Sequence, residues 1–446
     1  MEEDTPLMLG FPDICGKKVE GDFAGGNVTS DGGVLFLRMV EKEIKIIERL
    51  TKCIPELRDE RYVDHAVEEM LRQRVFQIAC GYEDANDCNT LRKDPAFKTA
   101  CGQSPESGSD LSSQPTMSRL ENAVSRTMCY RIAESFVDGF ISSYSRPPET
   151  IILDVDDTED ETHGAQQLSL FNGYYDEYCY EPLHIYEGKS GKLITSILRP
   201  GKRPDGKTIV SILKRIVARI RQSWPEVEII LRGDSHFSAP EVHEWCEEKD
   251  IYYVLGQTGN ARLNNLGSSL LERAKELYDE KKEKVRLFQS FSYKADSWIK
   301  PSRIVQKAEV TSEGTNSRFV VTNFESSQAS FIYDEIYCER GQMENYIKNH
   351  KTYLHSDRTS CHAFIANQFR LFLHSAAYVL LHRLQEIGLR GLELARTQFD
   401  TIQKKLLKVG ARVRELVTKI KFHFPTSFPL KEVFSRIVLN FSTASP

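Results

Sequence analysis

The stretch that decides the fold is IILDVD, at residues 151–156. A short apolar run rich in β-branched residues is typical of a buried strand, and this one ends in acids. Because side chains alternate across a strand, Asp154 and Asp156 should point to the same side of the sheet. Aspartates at strand ends commonly cap turns, as Asp157 could do with Thr158, so these acids also have a purely structural interpretation.

Strand and helix patterns alternate after this stretch. They predict strands over 180–186, 192–198, 227–231 and 252–255, and helices over 208–222 and from 240. The patterns before residue 149 are mainly helical, whereas 285–293 and 308–323 are of the β type. The order of elements therefore indicates an α/β fold whose sheet begins at the IILDVD strand.

A second strand of this sheet also ends in an acid, Asp234. If the two strands are neighbours, Asp234 lies close to Asp154 and Asp156, and carboxylates so close repel one another. A bound divalent cation removes that cost, and ligands that are all oxygen favour Mg²⁺ or Mn²⁺. Glu344, on a helix packed over the same edge, could supply a third carboxylate and complete a two-metal site for phosphodiester chemistry.

The helix that carries Glu344 begins with YCERGQME, at residues 337–344. Steps of three, four and seven residues separate Tyr337, Arg340, Glu344 and Lys351, which places all four on one helix face. A solvated face with an Arg340–Glu344 ion pair, worth only about 0.2–0.5 kcal/mol, explains the spacing equally well. The acids upstream favour a functional stripe.

The composition is typical of a globular protein, and the basic residues concentrate in a tail at 390–440. The 446 residues are 40% hydrophobic with a net charge of −5, and no apolar run is long enough for a membrane span. An acidic N-terminus and ten scattered cysteines indicate a reducing cytoplasm. The tail is basic, and its cations could bind DNA backbone non-specifically, although a merely solvated basic helix is the alternative; they are Lys404, Lys405, Lys408, Arg412, Arg414, Lys419 and Lys421.

Two further segments could contact DNA. Residues 112–121 resemble the start of the second helix of a helix-turn-helix, in which Gln114, Thr116 and Ser118 could contact DNA, but an ordinary capped helix has the same pattern. Arg119, in the same segment, is a further candidate for DNA binding. Trp298 could stack on an unpaired base, or it could be buried as core.

Several motifs together resemble one known family. The strand order and acids are similar to the ribonuclease H-like core of DDE transposases, and Tyr337, Arg340, Glu344 and Lys351 match the Tyr-Arg-Glu-Lys signature of insertion-sequence transposases. The resemblance narrows to the group 1 DDE transposase domain of bacterial insertion-sequence family thirteen-eighty. It rests on LDVDDT at 153–158, HG at 163–164, YYDEYC at 174–179 and RGDSHF at 232–237.

The resemblance implies roles for individual residues. Asp156, Asp234 and Glu344 would be catalytic and would bind two Mg²⁺ or Mn²⁺ ions per site, with Asp154 left open as the alternative first acid. Tyr337, Arg340 and Lys351 would contact phosphates of the transposon end. The partners implied are inverted-repeat ends and target DNA, bound by a homodimer without a membrane, in the bacterial cytoplasm and on the nucleoid.

The resemblance also implies a division into five segments. We expect a mainly helical DNA-binding and dimerisation domain, the first part of a ribonuclease H-like core, a β-rich insertion, the final helices of the core and a basic helical C-terminal region. Their predicted bounds are 1–148, 149–256, 257–329, 330–388 and 389–446.

The function that follows is transposition of DNA. The enzyme would cleave phosphodiesters at the ends and join the freed 3′-hydroxyl to target DNA. A ribonuclease H-like nuclease or junction resolvase would use the same acids, but it has little use for the insertion or the signature. A domesticated DNA-binding relative would lack one of the acids, and all of them are present.

Overall fold

The computed structural model describes residues 8–202 and 204–444. Its strands, in chain order, are β1 Leu9–Ile14, β2 Lys17–Gly21, β3 Val28–Thr29, β4 Thr150–Asp157, β5 Asp160–Glu161, β6 Leu170–Asn172, β7 Glu177–Tyr180, β8 Leu183–Glu187, β9 Leu193–Ile197, β10 Glu228–Gly233, β11 Tyr252–Gln257, β12 Val285–Tyr293, β13 Ser302–Thr311, β14 Gly314–Thr322, β15 Ala411–Leu416 and β16 Lys419–His423.

The α-helices are α1 Val34–Ile44, α2 Ile46–Cys53, α3 Val67–Ala79, α4 Asp87–Leu91, α5 Pro95–Cys101, α6 Gln114–Ala123, α7 Arg126–Ser142, α8 Gly206–Ser223, α9 Pro240–Glu248, α10 Ala261–Leu266, α11 Ser268–Lys281, α12 Ala329–Phe331, α13 Gly341–Lys348, α14 Phe364–Arg383, α15 Phe399–Ile402 and α16 Lys431–Ala444. Among the described residues, no helix is both long and apolar enough to cross a membrane.

The chain divides into two units. The first contains the described parts of Met1–Thr51, Pro55–Leu120 and Arg383–Pro446, and the second contains Lys52–Ile54 and Glu121–His382. The first unit therefore combines the two ends of the sequence. The division into five segments, with the role expected of each, remains a prediction.

The second unit is built on an eight-stranded mixed sheet with the order β12-β13-β14-β11-β10-β4-β8-β9. β4, β10 and β11 are parallel to one another and lie in the middle, and their neighbours on both sides run antiparallel. The parallel pairing brings the carboxyl ends of β4 and β10 to the same edge, as the strand-end acids predicted. The mixed α/β architecture is therefore confirmed.

Alternation along β4 separates a core face from a functional face. Ile151, Leu153 and Val155 join the large apolar cluster formed with α8 and α9. Asp154 and Asp156 point to the opposite face, which the signature segment covers, because apolar side chains on one face leave alternate positions for the other. We use the name signature segment for residues 329–353, a helical stretch in which α12 and α13 adjoin π-helical and 3₁₀ turns.

The β-type patterns before the signature segment belong to the same sheet. β14 pairs with β11, and β13 and β12 extend the sheet beyond it. The strands of the predicted insertion, 257–329, therefore continue the hydrogen-bonded ladder of the predicted core. The sequence pattern alone could not show which strands pair, because strand pairing depends on residues that are far apart in the chain.

The first unit is held together where its N-terminal and C-terminal parts meet. Gly32 and Gly33 donate backbone hydrogen bonds to Val409 (2.9 Å) and Leu407 (3.1 Å). A Cβ on Gly33 would lie 1.8 Å from the carbonyl oxygen of Leu406, so the close approach requires glycine.

The C-terminal region differs from its predicted helical character. β15 and β16 form an antiparallel hairpin inside it, and β15 also pairs with β3. The sequence ARVR, at residues 411–414, alternates apolar and charged residues with period two, which is a strand pattern, and β3 gives that strand a partner. The helical prediction is wrong for residues 411–423, and α16 follows this hairpin.

Candidate active site

Asp154 lies at the centre of a buried ion pair. Its side chain is 0% exposed, and Arg232, on the neighbouring strand and directly across from it, contacts both of its oxygens. The distances are 2.5 Å from Nε to Oδ1 and 2.6 Å from Nη2 to Oδ2. This bidentate geometry uses both carboxylate oxygens, so Asp154 has no oxygen free of Arg232.

Arg232 also holds the signature segment. Its Nη1 donates to the backbone oxygen of Ile336 at 2.6 Å, inside the π-helical turn. A Cβ on Gly188 would lie 2.6 Å from Nη2 of Arg232, so the absence of a side chain at that position leaves room for the guanidinium. The sequence interpretation missed Arg232, although it immediately precedes the Gly233-Asp234 pair on the second acid-bearing strand.

Asp156 is the more accessible of the two candidate first acids. Its side chain is 15% exposed, and Nη2 of Arg340 lies 2.8 Å from its Oδ2. Burial raises the pKa of Asp156 to about 7; the Arg340 charge opposes this rise, and the nearby Asp234 and Asp157 add to it. The effect of burial on the Asp156 pKa therefore outweighs the effect of the Arg340 charge.

Asp234 lies next to Asp156 at the end of β10. One of its carboxylate oxygens accepts a hydrogen bond from the backbone N–H of His236 at 2.8 Å, which fixes the turn after the strand. Tyr337 covers the same edge, since a Cβ on Gly256 would lie 2.7 Å from the Tyr337 hydroxyl. The structure thus brings together Asp156, Asp234, Tyr337 and Arg340.

Asp157 has a separate set of partners. Arg199 contacts it at 2.7 Å, and Nδ1 of His236 lies 3.5 Å away. Burial alone would raise the pKa of Asp157, but the hydrogen bond from His236 and the Arg199 charge lower it below its ordinary value. Asp157 is therefore held as an ionised structural partner. Neither Arg199 nor His236 was singled out from the sequence, because their contacts depend on tertiary packing.

Lys351, the last residue of the signature, contacts the loop after β4. Its ammonium donates to the backbone oxygen of Glu159 and lies 3.1 Å from the Glu159 carboxylate. It also lies 3.3 Å from the Thr158 hydroxyl and 3.9 Å from the buried Asp160. Both cations of the signature are therefore engaged by acids at or just beyond the end of β4.

Glu344 stands apart from this group. It is exposed on α13. Within residues 8–202 and 204–444, no three His, Cys, Asp or Glu side chains lie close enough together to hold a metal ion. Asp156 and Asp234 nevertheless suit a hard divalent cation, because they offer neighbouring carboxylate oxygens, the ligands that Mg²⁺ and Mn²⁺ prefer.

The other residues predicted to contact DNA lie in different surroundings. Trp298 is buried, with its ring edge-on to His243 (5.1 Å between centroids) and Tyr293 (5.5 Å), as the core alternative proposed. Stacking on a base would require the ring to leave this position. In the first unit, Arg119, Lys404 and Lys405 are all exposed.

Comparison with known proteins identifies the family. The chain matches the family described as Transposase DDE domain group 1 over residues 11–446. No curated protein matches it. Among solved structures it is similar to a piggyBac transposase synaptic complex with hairpin DNA, with 10% identity, 85% of this chain and 80% of that chain covered, and a TM-score of 0.42. Because the family match spans nearly the whole chain, this protein belongs to the group 1 DDE transposase family and is a DNA transposase.

Proposed function

We propose that this transposase belongs to bacterial insertion-sequence family thirteen-eighty and acts on the inverted-repeat ends of its element. It would cleave phosphodiesters there and join the 3′-hydroxyl ends to target DNA, as a homodimer on the nucleoid. The observation that carries the proposal is the meeting of Asp156 and Asp234 at the ends of two adjacent parallel strands, beneath the signature segment. This edge supports assignment of the sheet to a ribonuclease H-like core.

Asp156 and Asp234 would hold two Mg²⁺ or Mn²⁺ ions, and Glu344 would complete the set only after moving from its exposed position on α13 to this edge of the sheet. When bound, such ions activate the attacking oxygen and stabilise the leaving oxygen of a phosphodiester. Support for Asp156 over Asp154 comes from the bidentate Arg232 contact, which occupies both oxygens of Asp154.

The chain's own cations would bind the DNA backbone beside these acids. Arg340 offers a planar fork to a phosphate, and Lys351 offers a point charge. Tyr337 lies over the same edge and would bound the space in which the reacting phosphodiester is held. Arg119, Lys404 and Lys405 would add backbone contacts from the first unit. The strands between α11 and the signature segment support a further hypothesis, that the excised end passes through a hairpin.

Incubation of end-labelled transposon DNA with the protein and Mg²⁺ tests the proposal. We expect Asp234→Asn and Glu344→Gln to lower the cleavage rate by about 100-fold or more. Glu339→Gln is the matched control, because Glu339 is also exposed and lies in the same segment. Full activity of Asp234→Asn would contradict the metal-site assignment.

A strand-transfer assay separates transposition from simple nuclease action. A transposase joins labelled ends to a second plasmid, whereas a nuclease or junction resolvase leaves them free. The same gel tests the hairpin hypothesis, since hairpinned ends migrate as doubled strands under denaturing conditions. Open ends at every time point would refute the hairpin step.

A further inference from the structure

The hairpin of β15 and β16 has one strongly basic face. Arg412 and Arg414 alternate with inward-facing residues on β15, and their cross-strand partners are His423 and Lys421. Lys419 pairs with Leu416 in the same row. Residues directly opposite each other in a ladder point to the same side, so all five basic side chains share one face. We call Arg412, Arg414, Lys419, Lys421 and His423 the cationic face; all of them are exposed.

The opposite face of the hairpin is anchored in the first unit. Ala411 and Val413 are buried. The Glu415 carboxylate accepts hydrogen bonds from the backbone N–H groups of Glu106 (2.9 Å) and Ser107 (3.0 Å) and from the Ser107 hydroxyl (2.5 Å). The one acid of β15 therefore points away from the cationic face. The anchoring also fixes which way the five basic side chains point.

The cationic face has no acidic partner in the part of the chain that the structure describes. None of its five side chains forms an ion pair with an acid among residues 8–202 and 204–444. Other lysines of the same region do have such partners: Lys404 lies 3.4 Å from Asp400, and Lys408 lies 3.7 Å from Asp31. Four permanent positive charges on one rigid face, in a protein of net charge −5, form a concentrated electrostatic feature.

We propose that the cationic face binds the sugar-phosphate backbone of duplex DNA without regard to sequence. The Cα atoms that carry neighbouring cations are about 7 Å apart along a strand and about 5 Å apart across the hairpin. This close spacing of basic side chains suits a polyanion. A two-stranded ribbon is also narrow enough to enter the major groove of B-DNA. The inference rests on the proposed function only in choosing DNA as the polyanion.

The salt dependence of DNA affinity tests whether the cationic face binds phosphates. The probe is a fluorescent 30-base-pair duplex that lacks inverted repeats, titrated with the full chain in EDTA at several KCl concentrations. Each neutralised phosphate contributes about 0.9 to the slope of log K against log salt. We therefore expect Arg412→Gln, Arg414→Gln, Lys419→Gln and Lys421→Gln, combined, to reduce the slope by about 2 to 3.6. Asp234→Asn should leave the slope unchanged, so failure of this inference is distinguishable from failure of the proposed active site.

A control variant removes the same number of charges elsewhere. Arg273, Lys275, Lys281 and Lys282 are exposed on or next to α11, and their combined change to Gln should leave the slope within about 0.5 of wild type. Equal slopes for wild type and the two fourfold variants, or equal losses of slope in the two fourfold variants, would overturn the proposal. An unchanged slope with weakened self-association in sedimentation would assign the face to a second copy instead, and would also overturn it.

Footprinting of the wild-type chain avoids dependence on a variant that must fold. Acetylation followed by mass spectrometry should show that the duplex protects Lys419 and Lys421 but not Lys281 and Lys282. Equal acetylation of Lys419 and Lys421 with and without the duplex would contradict the assignment.

Discussion

Removal of one partner from the buried Asp154–Arg232 pair should strongly destabilise the second unit. Both side chains are at most 1% exposed, so Asp154→Asn removes the carboxylate that holds the Arg232 guanidinium and leaves its charge in the interior. Breaking a buried pair in this way costs about 3–5 kcal/mol. Replacing both partners with apolar residues, Asp154→Leu with Arg232→Met, removes both charges together and should restore most of the free energy of unfolding.

Urea denaturation followed by tryptophan fluorescence is the assay. All three tryptophans of the chain belong to the core of the second unit, so their emission reports on that unit. The matched control is Arg219→Met, which breaks a bidentate pair with Asp138 whose side chains are 40% and 35% exposed. Because exposed pairs contribute about 0–1 kcal/mol, the control should hardly move the transition. Equal losses in Asp154→Asn and the control would refute the reasoning.

The double variant also separates folding from function. Arg232 donates to Ile336 in the signature segment, and methionine cannot replace that hydrogen bond. A stable double variant should therefore still cleave DNA poorly, because the segment that carries Arg340 and Glu344 is no longer tied to the sheet. Full cleavage activity would show that the Arg232 contact does not position the site.

Three other predictions follow from the same site. Asp156 has a pKa of about 7 in the folded protein and about 3.9 in the unfolded chain, so this carboxyl lowers the free energy of unfolding as pH rises between those values. Asp156→Asn should therefore raise the free energy of unfolding by about 2–4 kcal/mol at pH 8 and by little at pH 4. Equal effects at the two pH values would contradict this prediction. Arg340 contacts Asp156 at 2.8 Å, so Arg340→Gln should tighten Mn²⁺ binding measured by calorimetry without DNA and should weaken binding of transposon ends. Unchanged Mn²⁺ affinity would show that Arg340 does not compete with the metal ion for Asp156. Cys15 and Cys338 are the exposed cysteines, and burial raises the pKa of the Cys338 thiol, so a Cys15→Ala protein should keep one accessible thiol that reacts slowly at neutral pH and faster at pH 9. End DNA should protect this thiol, and an unprotected thiol would place DNA away from the signature segment.

Local patterns predicted the elements of the second unit well. The run of β-branched residues at 151–156 became β4, and the helix predicted over 208–222 became α8, because apolar spacing reflects the face that each element buries. The C-terminal hairpin was missed because the basic residues were interpreted as part of a helical region. Its period of two becomes decisive only once β3 supplies a partner strand.

The site was predictable in part. Asp156, Asp234 and Arg340 were singled out from strand ends and helix spacing, and the structure brings them together. The choice between Asp154 and Asp156 stayed open because both lie on the same face of β4. Arg232 distinguishes their environments, and its place opposite Asp154 depends on the parallel register of β4 with β10.

The sequence by itself determined the family, the strand-end acids and the residues of the signature, since each depends on residue types at short spacings. Only the tertiary structure decided how the charges pair. It joined Arg232 to Asp154, Arg340 to Asp156 and Lys351 to the loop after β4. It also turned a basic tail into a hairpin with a single cationic face. Ion pairing requires groups within about 4 Å, and for residues far apart in the chain only strand register and packing set that distance.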